Sequence, residues 1–155
     1  MPTDPVEGFA FFEESLELSR RFRALRLWLS LRYHGLQAFR SAIQKDLDLA
    51  QRLATSIAKR SDLELLAPVE LSVVCFRYTG PGSLSEDELN RCNTAILKSV
   101  VQRGRVYLSN ATLRGKFALR ACIVNHRSTA DDVDSLIPEV LTASPCGADF
   151  PIRDL

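Results

Sequence analysis

Arg105-Val-Tyr-Leu-Ser-Asn-Ala-Thr-Leu-Arg-Gly-Lys-Phe-Ala-Leu-Arg-Ala-Cys-Ile-Val124 is the stretch whose pattern sets the fold class. Two runs rich in strand-forming residues, Arg105 to Leu113 and Lys116 to Val124, flank Arg114-Gly115. A two-residue connection containing glycine between such runs reads as a β-hairpin. Along the second run, alternation puts Phe117, Leu119, Ala121 and Ile123 on one face and Ala118, Arg120 and Cys122 on the other. The first set makes a core face. The second leaves a guanidinium between two small side chains, open to approach. Arginine's planar fork matches the two oxygens of a carboxylate. The same pattern also admits a surface arginine paired with a helix glutamate.

Upstream of the hairpin, Ser85-Glu-Asp-Glu88 has the form of a capping box. It opens a helix with Leu89, Cys92, Ile96 and Val100 at helical spacing, stopping at Gly104. Thr79-Gly-Pro-Gly-Ser83 is a loop. Before it come two strand-like runs, Leu63 to Leu66 and Leu71 to Tyr78, the second rich in β-branched and aromatic residues. A longer helix from Leu36 to about Arg60 carries one stripe, Leu36, Phe39, Ile43, Leu47, Ala50, Ala54 and Ile57. Lys45, Asp48, Arg52 and Lys59 face away from it.

Downstream, Ser128 or Thr129, each with an aspartate three residues on, starts a final helix with a stripe of Val133, Leu136, Ile137, Val140 and Leu141. Pro138 should bend that helix or end it early. The order helix, helix, strand, strand, helix, strand, strand, helix implies an α+β layer. We expect an antiparallel sheet of three to four strands covered on one face by helices, preceded by a long linking helix.

That linking helix, Leu18 to Tyr33, is unusual. Phe22, Leu25, Leu27, Trp28, Leu29 and Leu31 fall nearly all round the wheel, which marks a buried helix. Yet Arg20, Arg21, Arg23, Arg26 and Arg32 stand among them, with no acid between Leu18 and Gln44. A helix held between two bodies, its arginines reaching acceptors on each, reconciles the two patterns. Gly35 supplies a break suited to a left-handed C-cap. Residues 1–17 read as an N-terminal arm with a Phe9, Phe11, Phe12 cluster that needs cover, 18–143 as the domain, and 144–155 as a flexible tail.

Twenty basic residues meet nineteen acidic ones, so overall charge argues against a nucleic-acid partner. Cys75, Cys92, Cys122 and Cys146 lack Cys-x-x-Cys spacing, and neither His34 nor His126 lies near a cysteine in sequence. No metal site or disulfide framework is expected. The chain shows neither a secretory signal nor an apolar run long enough to span a bilayer, so a cytoplasmic location without membrane partners is expected. Phosphate-binding glycine loops and a Gly-x-Ser-x-Gly elbow are missing. His34 reads as a helix-terminus residue and His126 as a loop residue.

Several blocks together resemble the group II pyridoxal-phosphate-dependent decarboxylases. Leu18-Ser-Arg-Arg-Phe-Arg-Ala-Leu-Arg-Leu-Trp-Leu-Ser-Leu-Arg-Tyr-His-Gly35 is similar to that family's Arg-Arg-Phe-Arg-x-Leu-Lys-x-Trp segment. Val74-Cys-Phe-Arg77, Asn93-Thr-Ala95 and Leu113-Arg-Gly-Lys-Phe-Ala-Leu-Arg-Ala-Cys-Ile123 follow in the family's order. The resemblance covers about residues 9 to 143, the family's C-terminal small domain, and implies the small domain of the aspartate-aminotransferase-like fold. It implies that Arg120 contacts the substrate α-carboxylate in a full-length enzyme.

The resemblance also implies that the lysine bonding pyridoxal phosphate belongs to a large domain outside this stretch. In the family that lysine follows a histidine, and none of Lys45, Lys59, Lys98 or Lys116 does. No catalytic residue and no cofactor-binding residue is therefore expected here, and the chain alone should be inactive. The expected partners are the large domain of a parent decarboxylase and, for the isolated chain, a second copy joined as a homodimer through residues 9–33. Two other readings stand beside this one. The chain could be a stand-alone α+β ligand-binding or regulatory module derived from such a domain. It could also be an interaction protein using its basic helix, residues 18 to 40, on an anionic partner.

Overall fold

The computed structural model describes residues 21–80, 82 and 84–144. The expected arm and, apart from Ser144, the expected tail lie outside the described residues. The chain divides into two compact units, Met1–Phe39 and Arg40–Leu155.

In the first unit, α1 runs Ala24–His34. Its apolar residues repeat on every side, so no single face gathers them, and no residue of α1 is buried. Phe22, Leu27 and Trp28 are 72%, 60% and 56% exposed. The Arg32 guanidinium lies 5.9 Å from the centre of the Trp28 ring. Gly35 ends the helix with its N–H on the Leu31 carbonyl. Its φ of 79° is positive as expected, but its ψ of 152° is extended rather than left-handed helical. Only glycine adopts that combination without strain, and it lets the chain turn straight into α2, Leu36–Ala58.

From Arg40 onward the expected α+β layer is present. β1 (Leu63–Leu65), β2 (Val73–Tyr78), α3 (Glu86–Arg103), β3 (Ser109–Leu113), β4 (Lys116–Cys122), α4 (Ala130–Asp134) and α5 (Leu136–Thr142) follow in order. The strands form one antiparallel sheet in the order β1-β2-β4-β3. Its core face carries Leu63, Val74, Phe76, Tyr78, Leu119 and Ala121, which pack with buried residues of α2, α3, α4 and α5. Fully burying side chains such as Phe76, Ile57, Ile96 and Leu119 stabilises by about 1.5 to 3 kcal/mol each.

Local chemistry sets the boundaries. Arg114 and Gly115 both have positive φ, 52° and 81°, the mirror-image turn whose twist suits a two-residue hairpin. Ser85 and Glu88 close the expected capping box, and Gly104 ends α3 in the left-handed conformation. At the last helix, Thr129 is the N-cap, paired reciprocally with Asp132. Proline 138 cannot donate to the carbonyl four residues back, and the expected single helix is broken at Ser135 into α4 and α5.

The stripe expected on α2 needs correction. Its buried residues are Leu49, Ala50, Leu53, Ala54 and Ile57, whereas Leu36 and Ile43 are exposed. Ala50, Ala54 and Ile57 of the expected stripe are buried, joined by Leu49 and Leu53, because only the later turns of α2 pack into the core.

Candidate functional site

Register decides what shares the face opposite the core. Cys75 pairs with Arg120 and Val73 with Cys122, while Ser109 pairs with Arg120 and Ala111 with Ala118. Directly opposed residues project to the same side, so Ser109, Arg120 and Cys75 form one row across three strands. Ala118 and Cys122 stand beside Arg120 along β4.

Arg120 is exposed. Its Nε–H donates to Ser109 Oγ at 3.0 Å, and the Ser109 hydroxyl donates to the Arg120 carbonyl at 3.3 Å. Among the described residues no carboxylate pairs with the guanidinium, and its two terminal nitrogens make no hydrogen bond. Cys75 is half-buried; burial pushes its thiol up, while the Arg120 charge pulls the other way. Cys122 is exposed. The row thus presents a fixed cation beside a polar hydroxyl and two thiols, an arrangement suited to an anion with two oxygens.

The other end of the face is closed on itself. Arg77 is 4% exposed. Its Nε–H donates to Glu64 at 2.6 Å and its terminal nitrogens to both oxygens of Glu86, at 2.7 and 3.2 Å. Lys116 reaches the second Glu64 oxygen at 3.2 Å. Burial pushes the Glu64 carboxyl up, but the bonds from Arg77 and Lys116 outweigh it and hold the group below its ordinary value. Two cations therefore neutralise two anions, leaving no base there to work on a substrate.

Beneath that cluster, β2 and β4 part after the Phe76–Leu119 pair. Two asparagines of α3 take the backbone groups left over. Asn93, fully buried, accepts from the Tyr78 N–H and donates to the Tyr78 and Leu89 carbonyls, each at 2.8 Å. Asn90 accepts from the Phe117 N–H at 2.7 Å and donates to the Gly115 carbonyl at 3.2 Å. Sequence reasoning missed both roles. An asparagine inside the apolar stripe of α3 was the available signal, since buried amides need partners.

The histidines serve no common site. His34 rests edge-on against Tyr33, ring centres 4.8 Å apart, and the His126 carbonyl accepts from Lys45. A concavity of about 410 Å³ between α2 and the last helices is lined by Arg52, Lys59, Arg60 and Asp134, with Leu53 and Ile137 at its apolar wall. Asp134 binds Arg52 at 2.6 Å and Asp62 binds Arg60 at 2.7 Å, which satisfies two of its three cations internally. Pyridoxal phosphate requires a sheltered lysine near phosphate donors. Lys45, Lys59 and Lys98 are exposed and Lys116 is held by Glu64, so the described residues do not fit the cofactor. No helix of the described residues is long and apolar enough to cross a membrane.

A family model, the pyridoxal-dependent decarboxylase conserved domain, matches residues 9–79. An aromatic-L-amino-acid decarboxylase of Bacillus atrophaeus is 37% identical over 152 residues, covering 93% of this chain and 32% of the relative. Tyrosine decarboxylase 4 of Petroselinum crispum is 36% identical, covering 82% of this chain and 28% of the relative. The tryptophan decarboxylase of Catharanthus roseus, solved with L-tryptophan, superposes with a TM-score of 0.71 at 27% identity, over 79% of this chain and 26% of that one. The chain thus spans about a third of the length of the curated relatives it matches. In sequence and in fold it belongs to the group II pyridoxal-dependent decarboxylases, of which it carries the small-domain portion of the aspartate-aminotransferase-like fold.

Proposed function

We propose that this chain is the C-terminal small domain of a cytoplasmic pyridoxal-phosphate-dependent amino-acid decarboxylase, spanning residues 18–143. In the full-length enzyme Arg120 holds the substrate α-carboxylate, and the chain alone is inactive. The observation that carries the reading is Arg120 itself. It stands on the open sheet face, tied at Nε and unengaged at its terminal nitrogens among the described residues. It does so in a chain 37% identical to an aromatic-L-amino-acid decarboxylase.

In a full-length enzyme, pyridoxal phosphate held outside the described residues would supply the electron sink that decarboxylation needs. The contribution of this chain is orientation. A guanidinium gripping both carboxylate oxygens fixes the direction in which the bond to be broken points, and such fixing lowers the barrier as well as the dissociation constant. In an enzyme that joins this chain to a cofactor-binding domain, Arg120→Ala therefore raises KM and lowers kcat together. Loss of a charged hydrogen bond of this kind lowers kcat/KM roughly 10- to 100-fold. Unchanged kinetics would return Arg120 to a surface role. For the isolated chain, borohydride reduction with pyridoxal phosphate should label lysines sparsely; stoichiometric labelling of one lysine, blocked by an amino acid, would overturn the inactivity.

The exposure of Phe22, Leu25, Leu27, Trp28 and Leu29 supports a covering partner for α1. In the parent enzyme we assign that role to the large domain. In the isolated chain we assign it to a second copy, joined as a homodimer through residues 9–33.

A further inference from the structure

The guanidinium has two edges that can grip a carboxylate, the side formed by Nε and one terminal nitrogen, and the end formed by the two terminal nitrogens. Ser109 decides which is offered. It lies directly across the β3–β4 ladder from Arg120. The single hydroxyl proton goes to the Arg120 carbonyl at 3.3 Å, which leaves the oxygen lone pairs free to accept Nε–H at 3.0 Å. The two bonds are compatible, and each polarises the hydroxyl in favour of the other.

We propose that Ser109 is a positioning residue for carboxylate recognition. It occupies the side edge of Arg120, restricts its rotamers and presents the end edge to the ligand. The inference rests on the carboxylate-binding reading of Arg120. Ser109 is half-buried on a paired strand, where threonine and valine have equal shape and both suit β structure. Ser109→Thr keeps the hydroxyl; Ser109→Val removes it and leaves everything else.

The probe is 3-phenylpropionate, with 3-phenylpropionamide as its neutral control, titrated into the 155-residue chain while the Arg120 Nε–H resonance is followed by NMR. In the wild type and in Ser109→Thr the resonance should be sharp and protected from exchange, and should shift saturably with the acid but not with the amide. In Ser109→Val it should lose protection, and affinity for the acid should fall roughly three- to tenfold, the effect of freeing one ordered side chain. Equal affinity in the valine and threonine variants overturns the positioning role and leaves the Arg120 reading intact. No saturable shift in the wild type overturns the Arg120 reading, and this inference with it.

Discussion

If Arg120 attracts carboxylates, the thiols beside it should distinguish a charged alkylating reagent from a neutral one. Cys75 faces Arg120 directly across the ladder and Cys122 follows it by two residues along β4 on the same face. Opposed side chains on one face have Cβ atoms about 5 Å apart, so a reagent carboxylate at either sulfur sits roughly 6 Å from the guanidinium. Two unit charges at that distance attract by about 0.7 kcal/mol in bulk water and more beside a protein surface. The expected preference for iodoacetate over iodoacetamide, relative to a small neutral thiol, is therefore about three- to tenfold.

The perturbation is Arg120→Gln, which removes the charge and keeps most of the length. Arg120 is exposed, so the fold should lose no more than about 0.5 kcal/mol. Arg120 also favours the Cys75 thiolate, but that effect speeds both reagents alike and cancels in their ratio. Rates are read by mass spectrometry of the Cys75 and Cys122 peptides. Arg120→Lys should retain much of the preference, and molar salt should erode it, because screening at that ionic strength acts over about 3 Å. A ratio in Arg120→Gln equal to that of the wild type refutes the attraction and removes the physical basis for substrate contact.

Asn93→Ala should cost about 3 kcal/mol in urea denaturation, because it strands the Tyr78 N–H and carbonyl without solvent to replace the amide; a loss below about 1 kcal/mol would mean the strand end re-pairs. The Glu64 carboxyl is held below its ordinary value of 4.5, so its contribution is present above that pH and disappears as pH falls through the lowered value. The urea midpoint should accordingly decline on the acid side of pH 4.5, less steeply in Glu64→Gln; parallel profiles would exclude Glu64 as a source of acid sensitivity. Sedimentation of the isolated chain at micromolar concentration should show a dimer, weakened by Trp28→Ser together with Leu25→Ser. A monomer whose Trp28 is shielded from quencher would show instead that the chain covers this helix itself.

Much of the sheet and its helices could be read from the sequence because their signals are local. Arg114-Gly115 demands a turn with two positive φ values, Ser85 and Glu88 close a capping box, and alternation in β4 separates Leu119 and Ala121 from Arg120 and Cys122. What escaped depends on register and on long-range pairing. The two-residue hairpin already implies that Ser109 lies opposite Arg120, but the placement of Cys75 on its other side comes from the pairing of β2 with β4, which no periodicity within one segment specifies. The burial of Arg77 was equally hidden. Its partners Glu64 and Glu86 lie 13 and 9 residues away in sequence, and an isolated arginine in a strand reads as a surface residue. The stripe on α2 holds at Ala50, Ala54 and Ile57 and fails at Leu36 and Ile43 for a different reason. Apolar spacing runs along the whole helix, whereas the sheet supports its later turns alone.

Charge on the open face is sorted, and magnitudes show what the sorting accomplishes. Glu64 lies two strands and about two residues from Arg120, roughly 12 Å at ordinary strand spacing. At that separation a bare carboxylate would oppose an incoming anion by about 0.3 kcal/mol in water, less than a factor of two in affinity. Shielding Arg120 from that field is too small an effect to explain a buried arginine with two glutamates. What the cluster does supply is partners for a guanidinium that is itself buried, while Glu64 and Glu86 keep part of their surface in water. The Arg77 cluster is therefore a fastening that joins β1, β2, β4 and the start of α3 where the ladder parts and Asn93 takes over its hydrogen bonds. Its consequence for the site is steric and stoichiometric: with Glu64 and Glu86 engaged by Arg77 and Lys116, neither carboxylate is free to swing across and neutralise Arg120, which leaves that charge for a ligand.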